Sequence, residues 1–236
     1  MKNNIDYDYI AVIHGLAFKS NAAHGGPAFL PWHREYIKRN PTLALPYWDS
    51  TLDGRLPNPA DSILFSDDFL GTTDSQGNVV TGPFSPWPSL DGDDYIKRAI
   101  HHGDIHTFIG GDMQIFYPNK AAEDVVFFFH HSFVNLIFES WRQSQQTRIQ
   151  RVNDYPPDIA PLKNIDGLKN EYNDNLYEYA PRPTCNAITR DCGTKYLFCD
   201  ISHGSPQCAA KVRIGGNCTG FTKGKRAKIY ELINNE

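Results

Sequence analysis

Cysteine is missing from residues 1–184 and then occurs five times, at Cys185, Cys192, Cys199, Cys208 and Cys218. The chain therefore has two compositional parts. No apolar run approaches the ~20 residues that a membrane-spanning helix needs. The first twenty residues carry Asp6 and Asp8 where a signal peptide would carry its apolar core. Neither a membrane partner nor a signal peptide is legible in this chain. Charge of one sign is lacking too: 23 Lys and Arg against 27 Asp and Glu give a net charge of -4. With no basic stripe to neutralise phosphates, nucleic acid is not an expected partner. Methionine occurs only twice, whereas aromatic residues make up 13% and histidine occurs nine times. Rings and imidazoles in that proportion point to a walled site.

The cysteine spacings contain no C-x-x-C pair. A structural zinc site usually uses such pairs, so a disulfide-stapled tail is the stronger reading. Disulfides imply an oxidising compartment, hence a secreted protein or one of the secretory-pathway lumen. Asn217-Cys218-Thr219 fits the N-glycosylation acceptor pattern and agrees with that. An odd count leaves one cysteine over. The expected division is 1–183 for the main domain and 184–236 for the cysteine-rich tail.

Apolar positions at helical spacing mark a helix over Ile5–His14 that stops near Gly15. Pro27 suits the first turn of a second helix running to about Arg39, before Asn40-Pro41 breaks it. Residues 49–92 are dense in Gly, Pro, Asp and Ser without a sustained period, and read as a long irregular insertion. Helical pattern returns over Asp93–Phe108 and Ala122–Gln146, and 147–183 is again loop-like. The fold class expected is mainly α, with long irregular loops and a small cysteine-rich C-terminal tail.

Histidine placement organises the helices. His102 and His106 stand four apart in a helical segment, which puts both imidazoles on one face, about a turn from each other. His130 and His131 are neighbours about 100° apart on the next helix, so one of them can join that site and the other cannot. Upstream, His14, His24 and His33 form a second group of three. Imidazole-only sites suit Cu, Zn, Fe or Ni rather than Mg or Ca. His101 points away from the His102/His106 face, and His203, in the tail, reads as an exposed loop residue.

The segment His24-Gly25-Gly26-Pro27-Ala28-Phe29-Leu30-Pro31-Trp32-His33-Arg34-Glu35-Tyr36 resembles the first copper signature of the tyrosinase family. His102-Gly103-Asp104-Ile105-His106 and Asp124-Val125-Val126-Phe127-Phe128-Phe129-His130-His131 resemble the second, and Leu45-Pro46-Tyr47-Trp48-Asp49 is a further hallmark. The resemblance covers roughly residues 5–145, and the cysteine-bearing tail is similar to that of invertebrate, especially molluscan, members. It implies a four-helix bundle holding two copper ions, three histidines to each, with dioxygen and a small phenol or catechol as the partners. His14, His24 and His33 would hold one ion, and His102, His106 and His131 the other. His130 would then touch a ligand or face substrate, and Phe127, one turn before His131, would pack beside the bound imidazole. The reaction expected is oxidation of o-diphenols to o-quinones, as catechol oxidase or monooxygenase, with a haemocyanin-like dioxygen carrier as the alternative.

Departures from the family pattern carry information. Hydroxylating members usually place Asn after the first ligand of the second triad, acting with an acid one or two turns upstream; here that position is Gly103, and the upstream acids are Asp93 or Asp94. The Asp expected four residues after His131 is Asn135. In many relatives a C-terminal segment also covers the site. Here its aromatic candidates are Tyr196, Phe198 and Phe221, which either reach toward the copper or only anchor the tail.

Overall fold

The computed structural model describes residues 6–18, 23–24, 26, 28–37, 45–85, 87–99, 104–114, 120–153 and 164–221. It is mainly helical, with one two-stranded antiparallel sheet among the described residues. The chain divides into two discontinuous units: Met1–Trp48 with Asp112–Ala180, and Asp49–Gly111 with Pro181–Glu236. The sequence placed its boundary at residue 183. In the structure the cysteine-rich tail belongs with the irregular 49–111 stretch.

Three helices dominate the first unit. Helix α1 spans Asp6–Phe18, and Asp6 and Asp8 sit in its first turn, where carboxylates favour the positive end of the helix dipole. It buries Tyr7, Ala11, His14 and Gly15 on one face and runs past the expected stop at Gly15. Helix α2, Phe29–Ile37, accommodates Pro31 because the N–H groups of a first turn lack intrahelical partners anyway. The Phe29 N–H donates to Gly26 O at 3.1 Å. The extended segment 45–48 lies beside the helix that carries Phe129, with the Trp48 N–H donating to Phe129 O at 2.9 Å.

In the second unit, 49–65 makes short 3-10 turns. Asn58 and Ser62 side chains accept from the N–H groups of Ala60 and Leu64, and so start two of those turns. The five-residue helix α3, Ile105–Ile109, starts where Asp104 accepts from the Thr107 N–H at 3.1 Å, and ends at Gly110, whose φ of 61° suits glycine. The expected helix over Asp93–Phe108 is thus mostly absent: residues 93–99 are not helical, and 100–103 lie outside the described residues. The Ile96 N–H donates to Trp87 O, Ile96 O accepts from Val79 N–H, and the Arg98 N–H donates to Gly77 O. Those pairings take the backbone groups that an i to i−4 ladder would need.

Helix α4, Val126–Gln145, is the third main helix of the first unit. Buried Asp124 accepts from the Val126 N–H at 3.1 Å just before it. A stripe of Phe127, His131, Asn135, Glu139 and Arg142 is buried along the helix. A short helix α5, Gln150–Asn153, follows. Gly167 presses on α2 so closely that a Cβ would lie 2.3 Å from Pro31 O.

The tail forms strands β1, Leu197–Asp200, and β2, Gln207–Ala210, with Cys199 directly opposite Cys208. Disulfides join Cys185 to Cys199 and Cys192 to Cys208, leaving Cys218 as the free thiol. Leu56, Ala210, Val212 and Phe221 form its core, with Leu52, Leu197, Phe198 and Cys218 packed against them. Within this unit Tyr196 meets Phe69 edge-on at 4.6 Å, and Phe198 meets Phe221 at 5.1 Å. Those rings anchor the tail to its own unit. His203 is half-exposed and lies 2.9 Å from Asp200, as an exposed loop residue would.

Candidate metal centre

Helix α1 contributes His14, α2 contributes His33, and the loop before α2 contributes His24. One ring nitrogen from each lies within 4.8 Å of the others. His14 and His33 are buried and His24 is half-buried. The Nε2 atoms of His14 and His24 stand 3.0 Å apart, and His33 Nδ1 lies 2.8 Å from Phe29 O. Because a carbonyl only accepts, Nδ1 of His33 carries the proton and its lone pair is on Nε2, the tautomer suited to binding a metal.

The donor set fits a transition-metal ion. Metal–nitrogen bonds of about 2.0 Å put three trigonal ligand nitrogens roughly 3.5 Å apart, a spacing that small side-chain adjustments give here. The set has no carboxylate, so it is biased toward imidazole-seeking metals and away from Mg and Ca.

His131 of α4 lies against this group. Its ring stacks on His33 with centroids 4.2 Å apart and planes 9° apart. The fully buried Phe127 is the wedge, 4.5 Å from His14 and 4.2 Å from His131. Phe29, Trp32 and Tyr36 extend the wall: Phe29 is 4.4 Å from His33, and Trp32 is 4.8 Å from His33 and stacked on Tyr36. Of the adjacent pair, His131 is the one turned into this cluster. His130 is half-buried, with Trp48 at 6.4 Å.

Not every expected site residue falls here. His106 is half-buried on α3 in the other unit, and His101, His102 and Gly103 lie outside the described residues. Asp93 is not on a helix leading to His102; its half-exposed carboxylate pairs with Lys97 at 3.0 Å. The geometry that made it an upstream acid is therefore absent.

Sequence reading missed the polar brace behind the imidazoles. Arg34, next to His33 and fully buried, donates from Nε to Asn135 Oδ1 at 2.8 Å and from Nη2 to Glu139 at 2.5 Å. Arg142 donates to the same carboxylate at 2.6 Å and to Leu168 O at 2.5 Å. The Asn135 amide donates to the hydroxyls of Tyr177 and Tyr179. Burial pushes the Glu139 carboxyl up, but the hydrogen bond and charge of Arg34, joined by Arg142, outweigh it and hold the pKa below the ordinary value. Burial raises both phenols, and for Tyr179 the neighbouring Tyr177 adds to it. The available signal was the helical spacing of Asn135, Glu139 and Arg142 from His131.

A family model described as the common central domain of tyrosinase matches residues 4–98 and 88–144. A tyrosinase-like protein of Caenorhabditis elegans is 39% identical over an alignment that covers 96% of this chain and 42% of that protein. Tyrosinase-like protein 2 of Margaritifera margaritifera is 27% identical, covering 91% of this chain and 62% of its own. A tyrosinase of Streptomyces lincolnensis is 25% identical over 59% of this chain and 71% of the bacterial one. The chain spans less than two thirds of the length of the nematode and molluscan proteins.

Proposed function

The chain belongs to the tyrosinase family, and from that premise we propose that it is a two-copper phenol oxidase converting o-diphenols to o-quinones with dioxygen. Its first ion is held by His14, His24 and His33, its second by His102, His106 and His131. The convergence of three buried or half-buried imidazoles, with His131 stacked on His33, is the observation that carries this reading. When bound, a copper pair supplies the electrons that activate dioxygen and accepts the two electrons a catechol gives up.

The chain's own residues do the rest. Phe29 O holds His33 in the binding tautomer. Phe127, between His14 and His131, keeps both rings from turning, and with Trp32 and Tyr36 it makes the surroundings dry and weakly polar. His130, half-buried with its ring 5.3 Å from that of His131, is assigned the role of meeting a substrate hydroxyl. Gly103 has no side chain to hold a water for phenol deprotonation, which favours catechols over monophenols. The disulfides support passage through an oxidising compartment, and among the described residues no helix is long and apolar enough to cross a membrane.

Copper content and oxygen uptake with a simple catechol test this together. The expected result is two coppers per chain and catechol-dependent oxygen consumption, with His33→Ala and His131→Ala each losing copper and activity. Undiminished turnover in either variant overturns the ligand assignment. Reversible oxygen binding without turnover overturns the oxidase in favour of a carrier.

A further inference from the structure

We infer that Asn217 carries an N-linked glycan. The inference rests on the secretory reading above. Asn217-Cys218-Thr219 occupies a surface turn of the second unit in which the chain alternates out, in, out: Asn217 and Thr219 are exposed, and Cys218 is half-buried. The thiol side packs against the core of Leu56, Ala210, Val212 and Phe221. Both residues that define the acceptor pattern therefore face solvent, and the residue that does not matter to it faces inward.

Local geometry fixes this arrangement. The Asn217 N–H donates to Asp61 at 2.9 Å, and Gly216 lies so close to Asp61 that a Cβ would be 2.7 Å from that residue's Cβ. The turn is thus seated on Asp61. Asn217 Oδ1 accepts from the Thr219 N–H at 3.0 Å. That engages the carbonyl end of the amide, while Nδ2, the atom that would be modified, makes no hydrogen bond among the described residues. Transfer forms a bond from Nδ2 to C1 of the first sugar of a lipid-linked oligosaccharide. Nδ2 loses one proton, and the lipid pyrophosphate leaves with the electron pair of the broken C1–O bond.

The full chain, secreted from a eukaryotic host behind an added signal sequence, is treated with a peptide amidase that removes N-glycans and is mapped by mass spectrometry. A downward mass shift with conversion of Asn217 to Asp is expected, and Thr219→Ala should abolish it. Secreted chain with both disulfides formed but an unmodified Asn217 overturns the proposal and leaves the secretory reading intact. Chain retained in the cell without disulfides strikes the secretory reading instead.

Discussion

Replacing Glu139 by Gln probes the brace behind the imidazoles. Arg34, Arg142 and Glu139 are at most 3% exposed, and one carboxylate serves both guanidinium groups. The amide keeps the volume but removes the negative charge, leaving two buried cations facing each other. Breaking a buried ion pair from one side costs roughly 3–5 kcal/mol, a large share of the roughly 5–15 kcal/mol that holds a domain together. At about 2–4 °C per kcal/mol for a chain of this size, the midpoint should fall by roughly 6–20 °C. Thermal unfolding followed by circular dichroism at pH 7 reads this directly. Acid adds a second readout. Glu139 titrates below its ordinary value in the folded chain, so its contribution is complete above the unfolded carboxyl pKa of about 4.3 and is lost as pH falls through the lower folded value. The gap between parent and variant should therefore close in acid below about pH 4. A midpoint lowered by less than about 2 °C at pH 7, or a gap that persists unchanged in acid, would refute the reasoning about the shared carboxylate.

Other outcomes follow from single contacts. Phe127→Ala should cost about 3–5 kcal/mol by leaving a cavity among His14, His33 and His131, and should also weaken copper retention on dialysis; metal analysis beside calorimetry checks both. Gly103→Asn should raise monophenol hydroxylation relative to catechol oxidation, whereas Asp93→Asn should leave catechol kcat unchanged because Lys97 already holds that carboxylate at the surface; steady-state assays with tyrosine and a catechol decide. Cys192→Ser with Cys208→Ser opens a loop spanning 16 residues and should lower stability by about 3 kcal/mol, measurable by denaturant unfolding.

The imidazole group was legible because its signals are local. Pro27 and Asn40-Pro41 bracket a short helical segment, His33 lies within it, and His24 lies in the glycine-bearing loop ahead of it. The choice of His131 over His130 could be framed from a 100° rotation, but only packing against Phe29, His33 and Phe127 decides which ring turns inward. The helix over Asp93–Phe108 failed for a nonlocal reason: Ile96 and Arg98 bond to 77–79 and 87, partners that no window around them contains. The spacing of Glu139 and Arg142 from His131 was legible, but it went unread, as did Arg34, because charged residues on a helix usually mark its wet side. Here the mutual neutralisation of residues more than a hundred positions apart lets them be buried.

The order in which the two units are strung along the chain bears on how the protein is made. The chain leaves the first unit after Trp48, returns at Asp112 and leaves again after Ala180. Residues 49–111 thus emerge from a ribosome about seventy residues ahead of the segment that completes their unit, a wait of roughly 4–14 s at 5–20 residues per second. Through that interval Leu52 and Leu56 lack Ala210, Val212 and Phe221, and the first unit in turn lacks α4 until its own second half appears. Neither unit can close in step with its synthesis. The nascent chain therefore carries exposed apolar surface until the segment through Phe221 has emerged, which makes it a client for chaperones during synthesis.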